Sequence, residues 1–304
     1  MNVQNPAASR GIAIQAVDLV KNYGTGSNMV HALRGVNVSF ERGKFTAIMG
    51  PSGSGKSTLM HTLAGLDSAT SGHILFGGAD LTRMDDKQLT LLRRHKIGFI
   101  FQSFNLLPMF TAEQNILMPL TLAGDKPDRA WFDLLVDTLG LKQRLNHRPN
   151  ELSGGQQQRV AIARALITKP KLVFADEPTG NLDSVSSAEV LGFLKRSVNE
   201  LGQTIVMVTH DAVAASYADR AIVFADGQIV ADEANPTAET MNELLMAERE
   251  RATRTVVTST RADTLARLAG VKDVPNLPIT DAPLPPAGRT GTMRHARAAA
   301  QHAR

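Results

Sequence analysis

The chain has 304 residues, of which 43% are hydrophobic and 20% are charged, a balance that excludes wholesale disorder. It contains no cysteine, which excludes disulfides, thiol catalysis and cysteine-ligated metal centres. The net charge is +4, and residues 250–304 alone carry nine Lys/Arg against four Asp/Glu, so the rest lacks the basic excess of a nucleic-acid binder.

Apolar segments along the interior predict the buried strands of an α/β fold. Several are apolar almost without interruption, which is typical of strands that are covered on both faces. Residues 225–227, Ala-Asp-Gly, indicate a hairpin with a second arm at Gln228–Val230, and helix-like patterns prevail between Phe104 and Thr168. The predicted strands are Phe45–Met49, Ile97–Phe101, Leu172–Ala175, Ile205–Val208 and Ala221–Phe224.

The two ends of the chain differ from this interior. Residues 1–10 are polar and lack the apolar core of a signal peptide. No apolar run approaches the ~18–20 residues of a membrane helix, so we expect a soluble chain whose membrane spans, if it needs any, come from another polypeptide. Residues 250–304 are rich in proline and lack aromatic residues, which predicts an extension that lies against anionic lipid, binds an acidic partner, or is solvated without a role.

A glycine-rich loop follows the first predicted strand. Residues 50–57, GPSGSGKS, match G-x-x-x-x-G-K-[ST] and precede a helix-compatible segment, Thr58–Ala64. Glycines let backbone N–H groups turn toward phosphate oxygens, and the helix N-terminus adds partial positive charge. Lys56 then reaches the β- and γ-phosphates, and the Ser57 hydroxyl ligates Mg²⁺. The predicted nucleotide-binding residues of this loop are Gly50, Pro51, Ser52, Gly53, Ser54, Gly55, Lys56, Ser57 and Thr58.

Two other predicted strands end on residues suited to phosphate chemistry. Asp176 and Glu177 follow one of them, where Asp176 is placed to hold Mg²⁺ and Glu177 to polarise the attacking water. His210 follows the strand Ile205–Val208 at the edge where open α/β sheets bind ligands. We expect His210 to bind the γ-phosphate and orient that water.

A second anion site is predicted at residues 152–156, Leu-Ser-Gly-Gly-Gln. Ser153 suits the N-cap of the helix that follows, and Gly154 and Gly155 expose backbone N–H groups at its start. Because the loop at 50–57 already serves one nucleotide, this second site indicates a nucleotide held by another subunit.

Taken in order, these segments resemble the nucleotide-binding subunit of ATP-binding cassette (ABC) transporters over about residues 12–235. The resemblance implies an α/β P-loop NTPase core with an antiparallel β subdomain and an inserted helical subdomain. It implies ATP and Mg²⁺ as ligands and hydrolysis of ATP to ADP and phosphate. It also implies Gln102 as the glutamine that senses Mg²⁺ and the γ-phosphate, and Tyr23 as the aromatic residue that stacks on adenine.

The resemblance sorts the candidate residues into three sets. The catalytic set is Glu177, His210 and Gln102. The metal set is Ser57, Gln102 and Asp176. The set that contacts ATP across a dimer is Ser153, Gly154, Gly155 and Gln156 of the signature, with Asp183 of the D-loop.

The same resemblance sets domain bounds. Residues 1–11 form an N-terminal lead, and residues 12–235 form the ABC nucleotide-binding domain with its helical subdomain at about 103–168. A C-terminal helical segment is expected at 236–249. The composition of residues 250–304, which is basic and rich in Pro, Ala and Arg, predicts a disordered tail that departs from the short C-termini usual in the family.

Four stretches are similar to the lipoprotein-release and macrolide-export group: 65–67, 100–102, 111–116 and 177–183. That group implies a homodimer, or a pair with a second ABC subunit, in the ATP-bound state. It also implies an integral membrane permease as partner, no nucleic acid, and a place on the cytoplasmic face of the cell membrane. The segment 103–110 is apolar without helical or strand periodicity, so we expect part of it to contact the permease and part to fill the core.

An alternative function uses the same motifs. An ABC ATPase that drives transmembrane signalling, or regulates cell-wall growth or cell division, has the same sequence features as one that powers transport. The long coiled coils of DNA-repair members and the paired cassettes of translation-factor members are not found in this sequence. P-loop kinases and GTPases lack the signature at residues 152–156.

Overall fold

The computed structural model describes residues 11–251. Residues 1–10 and 252–304 lie outside the described residues, and with them nearly all of the predicted lead and tail. The domain bounds given above therefore stay a prediction.

Six strands form the central sheet in the order β10-β9-β3-β8-β7-β6. The five from β9 to β6 run parallel, and β10 pairs antiparallel with β9 at one edge. All five strands predicted from apolar runs are confirmed to within one residue at each end, and the predicted hairpin is β9–β10. Their bounds are β3 Phe45–Met49, β6 Ile97–Phe101, β7 Leu172–Asp176, β8 Ile205–Val208, β9 Arg220–Ala225 and β10 Gln228–Ala234.

The parallel strands are apolar because both of their faces are covered. In β8, Ile205 and Met207 pack into a core shared with helices, whereas Val206 and Val208 pack into a second core on the opposite face. The same alternation, with period two, divides Ala47 and Ile48 of β3 between the two cores. The sheet is thus held from both sides, which fixes the position of its carboxyl edge.

A second, antiparallel sheet, with the strand order β2-β1-β4-β5, covers the core that contains Val206 and Val208. The family resemblance implied this sheet, but no apolar run predicted its strands. Buried and exposed residues are interleaved along β2, which gives no continuous apolar signal. The bounds are β1 Ile12–Tyr23, β2 Val30–Glu41, β4 Ser71–Phe76 and β5 Ala79–Asp80.

Helices α2 to α7 begin at side-chain caps, whereas α1 follows Gly55, which has no side chain to cap it. Ser153 accepts from Gln156 N, and Gln156 Oε1 accepts from Ser153 N, so the predicted N-cap of α5 is confirmed. The helical region predicted between residues 104 and 168 contains α3, α4 and α5. No helix in the stretch 11–251 is both long and apolar enough to cross a membrane. The bounds are α1 Lys56–Leu63, α2 Asp86–Lys96, α3 Ala112–Ala123, α4 Arg129–Thr138, α5 Gly154–Leu166, α6 Ser184–Leu201 and α7 Ala212–Ala215, with a further helix, α8, over 238–251.

The aperiodic segment 103–110 is held by two buried polar side chains. Arg164 of α5 donates to the carbonyl oxygens of Phe104 and Asn105, at 2.7 and 2.6 Å. Both residues have left-handed backbone, with φ of 56° and 50°. The buried amide of Asn115 bonds to Leu107 through both its N–H and its carbonyl groups. The shape of the segment therefore depends on tertiary hydrogen bonds, which its own pattern does not reveal.

Candidate nucleotide site

The strand register brings the candidate residues to one edge of the sheet. Asp176, the last residue of β7, lies opposite Phe101 of β6 and Val208 of β8. Val208 in turn lies opposite Ile48 of β3, one residue before that strand ends. The residues that follow these four strands are therefore neighbours at the carboxyl edge of the sheet.

Two glycines of the loop 50–57 leave no room for a side chain. A Cβ atom at Gly50 would lie 1.9 Å from the carbonyl oxygen of Phe224, and one at Gly55 would lie 2.4 Å from that of Ala32. Both glycines also have positive φ, at 149° and 103°. The backbones of the neighbouring strands β2 and β9 thus pack closely against the loop where it curves around the N-terminus of α1.

Lys56 lies within this curve. Its ammonium donates to the carbonyl oxygens of Gly50 and Pro51, at 2.9 and 2.7 Å. Burial lowers the pKa of Lys56, while the nearby carboxylates of Glu177 and Asp176 act in the opposite direction. The loop thus holds a partly desolvated cation beside exposed backbone N–H groups, which suits the oxygens of a phosphate chain.

Asp176 and Ser57 bring two oxygen ligands together. The Ser57 hydroxyl lies 3.5 Å from Oδ1 of Asp176, and His61 Nε2 lies 4.0 Å from its Oδ2. Burial raises the pKa of the Asp176 carboxyl, which the charge of His61 opposes and that of Glu177 reinforces. A cation between Ser57 and Asp176 would favour the ionised carboxylate.

Glu177 and His210 form the second pair. His210 Nδ1 lies 2.9 Å from Oε1 of Glu177, and the backbone N–H of Glu177 donates to the carbonyl of Val208. Glu177 has a φ of 46°, an unfavourable conformation for a non-glycine residue and one that is often found at functional sites. Its side chain is 17% exposed whereas that of His210 is 71% exposed, so the carboxylate is sheltered while its histidine partner faces the solvent.

Most of these groups line one cleft of about 750 Å³, and Asp176 lies outside its wall. Tyr23, Lys56, Ser57, Glu177 and His210 all contribute to its wall. The antiparallel sheet and the β9–β10 turn supply lining residues that the sequence analysis did not select. Those additional residues are Met29, Val30, His31, Ala32, Arg34, Asp226 and Gly227, and Val208 at the end of β8 lines the cleft as well.

One further residue near the site was also missed, and the sequence did hold a signal for it. His61 lies four residues after Ser57 on α1, so helical periodicity places both on one face. No such signal exists for Arg34, whose backbone N–H meets the Gly227 carbonyl at 2.9 Å across a large sequence separation.

The remaining candidates lie beside the cleft rather than in it. The Gln102 side chain packs against Gly180, where a Cβ atom would be 2.6 Å from Gln102 Nε2. Gly155 at the start of α5 lies against Ser186, and Asp183 caps α6 by accepting from the Ser186 N–H. Within the described part of the chain, residues 153–156 do not line the cleft that contains Lys56.

The sheet and the cleft together define a P-loop nucleoside-triphosphate hydrolase of the α/β class. A family profile described as "ABC transporter" matches residues 33–180. The lipoprotein-releasing system ATP-binding protein LolD of Geobacter metallireducens is 49% identical over 221 residues, covering 72% of this chain and 98% of that protein. The chain belongs to the ABC transporter ATP-binding proteins and is an ABC ATPase.

Two further comparisons agree with this assignment. The macrolide export ATP-binding/permease protein MacB of Syntrophobacter fumaroxidans is 49% identical over 71% of this chain, but the match spans only 31% of that longer protein. The dimeric structure of the ATP-binding cassette MJ0796, in a post-hydrolysis state bound to ADP and phosphate, is 40% identical with a TM-score of 0.67. That alignment covers 73% of this chain and 98% of the cassette. The resemblance to the lipoprotein-release and macrolide-export group is thereby confirmed.

Proposed function

We propose that the chain binds ATP with Mg²⁺ in the cleft at residues 50–57 and uses its hydrolysis to drive a separate membrane permease. The permease is of the lipoprotein-release or export type. The observation that carries the proposal is the pairing of Glu177 with His210, 2.9 Å apart, in the cleft that also contains Lys56. A general base and a phosphate-binding cation are thus presented to one ligand.

The reaction assigns one role to each side chain. Lys56 neutralises the oxygens of the β- and γ-phosphates, since its ammonium needs only to leave two loop carbonyls to reach them. Glu177 accepts a proton from the attacking water, whose oxygen bonds to the γ-phosphorus as the bond to the ADP oxygen breaks. His210 holds the Glu177 carboxylate in position and donates to the γ-phosphate.

The residues present fit a magnesium ion. Ser57 and Asp176 offer a hydroxyl and a carboxylate oxygen 3.5 Å apart, and Mg²⁺ prefers oxygen ligands. Gln102, which follows Phe101 at the end of the neighbouring strand β6, would supply an amide oxygen. When bound, the ion neutralises charge on the phosphate oxygens.

We infer that a second ABC subunit completes the site. Residues 153–156 begin a capped helix whose N–H groups suit an anion, yet they lie outside their own chain's cleft. A head-to-tail dimer would bring them, with Asp183, to the γ-phosphate of the partner. The relative MJ0796 is described as dimeric, which supports the same arrangement here.

The permease contact is proposed at the segment 103–110. Met109 is 65% exposed and Leu122 of α3 is 68% exposed, whereas Leu106 packs against the helical core. This division fits the expectation that part of the segment fills the core and part meets a partner. Such a partner would hold the chain at the cytoplasmic face of the membrane.

The substitution Glu177→Gln tests the role of the base. We expect it to leave ATP affinity unchanged and to slow hydrolysis at least about 100-fold, the usual scale of lost general-base catalysis. Phosphate release by the permease-bound chain measures the rate, and gel filtration with ATP measures the dimer that accumulates. Glu239→Gln, an exposed change of the same chemistry on α8, is the matched control. Turnover of Glu177→Gln equal to that of Glu239→Gln would remove Glu177 from this role.

A further inference from the structure

Tyr23 is held by a partly buried ion pair at the edge of the nucleotide cleft. Its phenol donates to Oδ2 of Asp67, and Oδ1 of the same carboxylate accepts from Lys21 Nζ at 2.6 Å. The three residues come from β1 and from the turn between α1 and β4. A bond network therefore connects the edge of the nucleotide cleft with a turn that follows the phosphate-loop helix.

Lys21 is fully engaged within this network. Its side chain is 9% exposed, and its ammonium also donates to the Ser68 carbonyl at 2.7 Å. The same nitrogen lies 4.7 Å from the centroid of the Tyr23 ring, in a cation–π contact. A buried ammonium with two oxygen partners and one ring face has little freedom, and neither has the ring beneath it.

The carboxylate of Asp67 joins the two donors. Burial alone would raise its pKa, but the bonds from Lys21 and Tyr23 outweigh burial and lower the pKa, so the group is ionised at neutral pH. Burial and the Asp67 bond both raise the pKa of the Tyr23 phenol, which keeps its proton as a donor. The phenol also contacts Thr58 of α1, next to Ser57.

The geometry leaves the other side of the ring for a ligand. Tyr23 is 41% exposed and lines the cleft with residues 52–58, although its hydroxyl and one ring face are occupied. We propose that Lys21 and Asp67 are positioning residues that fix the Tyr23 ring as one wall of the base site, so that they affect nucleotide affinity through the base and not through the phosphates. The inference rests on the proposed function, ATP binding in this cleft, and on the contact between Tyr23 and adenine that the family resemblance implies.

The test compares ADP, which carries the base, with pyrophosphate, which lacks it, by calorimetry on the full chain with Mg²⁺. Tyr23→Ala should weaken ADP binding about 5- to 150-fold, the worth of one base stacked on an aromatic ring. Lys21→Met and Asp67→Asn should each weaken it by a smaller part of that loss, about three- to tenfold. Pyrophosphate binding should change by less than about twofold in all three variants.

Two further variants separate positioning from stability. Lys169→Met is the matched control, since Lys169 also pairs with an aspartate, Asp128, at 2.8 Å and lies 5.5 Å from the centroid of an aromatic ring, Trp131, outside the cleft. It should leave binding of both probes unchanged. Lys21→Arg, which keeps the cation over the ring, should recover most of the ADP affinity that Lys21→Met loses.

The double variant Tyr23→Ala/Lys21→Met decides whether Lys21 acts through the ring. If it does, the double variant should bind ADP no more weakly than Tyr23→Ala alone. Equal losses of ADP and pyrophosphate affinity, or additive losses in the double variant, would overturn the proposal. If Tyr23→Ala itself leaves ADP binding unchanged, the base contact fails, while the roles of Lys56 and Glu177 are tested separately by turnover.

Discussion

Replacing Arg164 by Met should destabilise the segment that follows Gln102. Arg164 is 8% exposed, and its guanidinium donates to two carbonyl oxygens, those of Phe104 and Asn105. Methionine keeps the length and the apolar stem of the side chain but leaves both carbonyls without these donors. Because Phe104 and Asn105 have left-handed backbone, they lose the contacts that hold them there.

The size of the effect follows from those two bonds. A hydrogen bond from a charged donor contributes about 1.5–3 kcal/mol, so two contribute about 3–6 kcal/mol. Burying the guanidinium costs desolvation free energy, which also lowers the pKa of Arg164 and which the variant does not incur. We therefore expect a net loss of about 2–4 kcal/mol, and a decrease in Tm of roughly 5–15 °C for a domain of this size.

Thermal and urea unfolding of the full chain measure this loss. Arg159→Met is the matched control, since Arg159 lies on the same helix but pairs with Glu189, whose side chain is 55% exposed. Such a pair contributes at most about 1 kcal/mol, so the control should shift Tm by only a few degrees. Equal losses in the two variants would refute the argument that the carbonyls of residues 104 and 105 carry the energy.

Three other outcomes are expected. Ser153→Arg should abolish hydrolysis but leave ATP binding intact, whereas Lys56→Ala should weaken ATP binding. Mixing the two variants should restore hydrolysis in the heterodimers, each of which has one competent site. Inactive heterodimers would contradict a site shared between subunits. Burial alone would raise the pKa of Asp219, but the Lys195 bond at 2.5 Å and others lower it. The stability lost in Asp219→Asn should therefore be constant above about pH 4 in urea titrations and shrink as pH falls through the folded-state pKa. Gly50→Ala, whose Cβ would lie 1.9 Å from a carbonyl oxygen, should lose ADP binding in calorimetry, and retained affinity would show that the loop can relax.

The parallel sheet could be predicted because burial on both faces leaves a direct trace in the sequence. Runs such as Ile205–Val208 must be apolar at every position when one core takes the odd residues and another takes the even ones. The polar residue after each run then has a defined place, since the parallel strands end at one edge. Asp176, Glu177 and His210 could be selected as neighbours for this reason.

The contribution of the antiparallel sheet could not be predicted in the same way. Tyr23 is joined to Asp67 across 44 positions, and Arg34 reaches the Gly227 carbonyl across an even longer separation. Such contacts depend on how one sheet covers the other, and neither local periodicity nor a motif specifies that. The adjacent residues Met29 and Val30, both exposed, show no pattern that would assign them to a ligand cleft.

The charges of the site explain why ligand binding and stability should be coupled. Burial lowers the pKa of Lys56 and raises that of Asp176, so the fold opposes the charged form of each group. A phosphate chain would supply the anion for Lys56, and a cation held by Ser57 would supply the partner for Asp176. Since both ligands bind the folded chain, their binding free energy adds to that of folding by mass action. The cost of burying the charges of Lys56 and Asp176 in the free site is therefore also the reason why the site is selective for a metal–phosphate ligand.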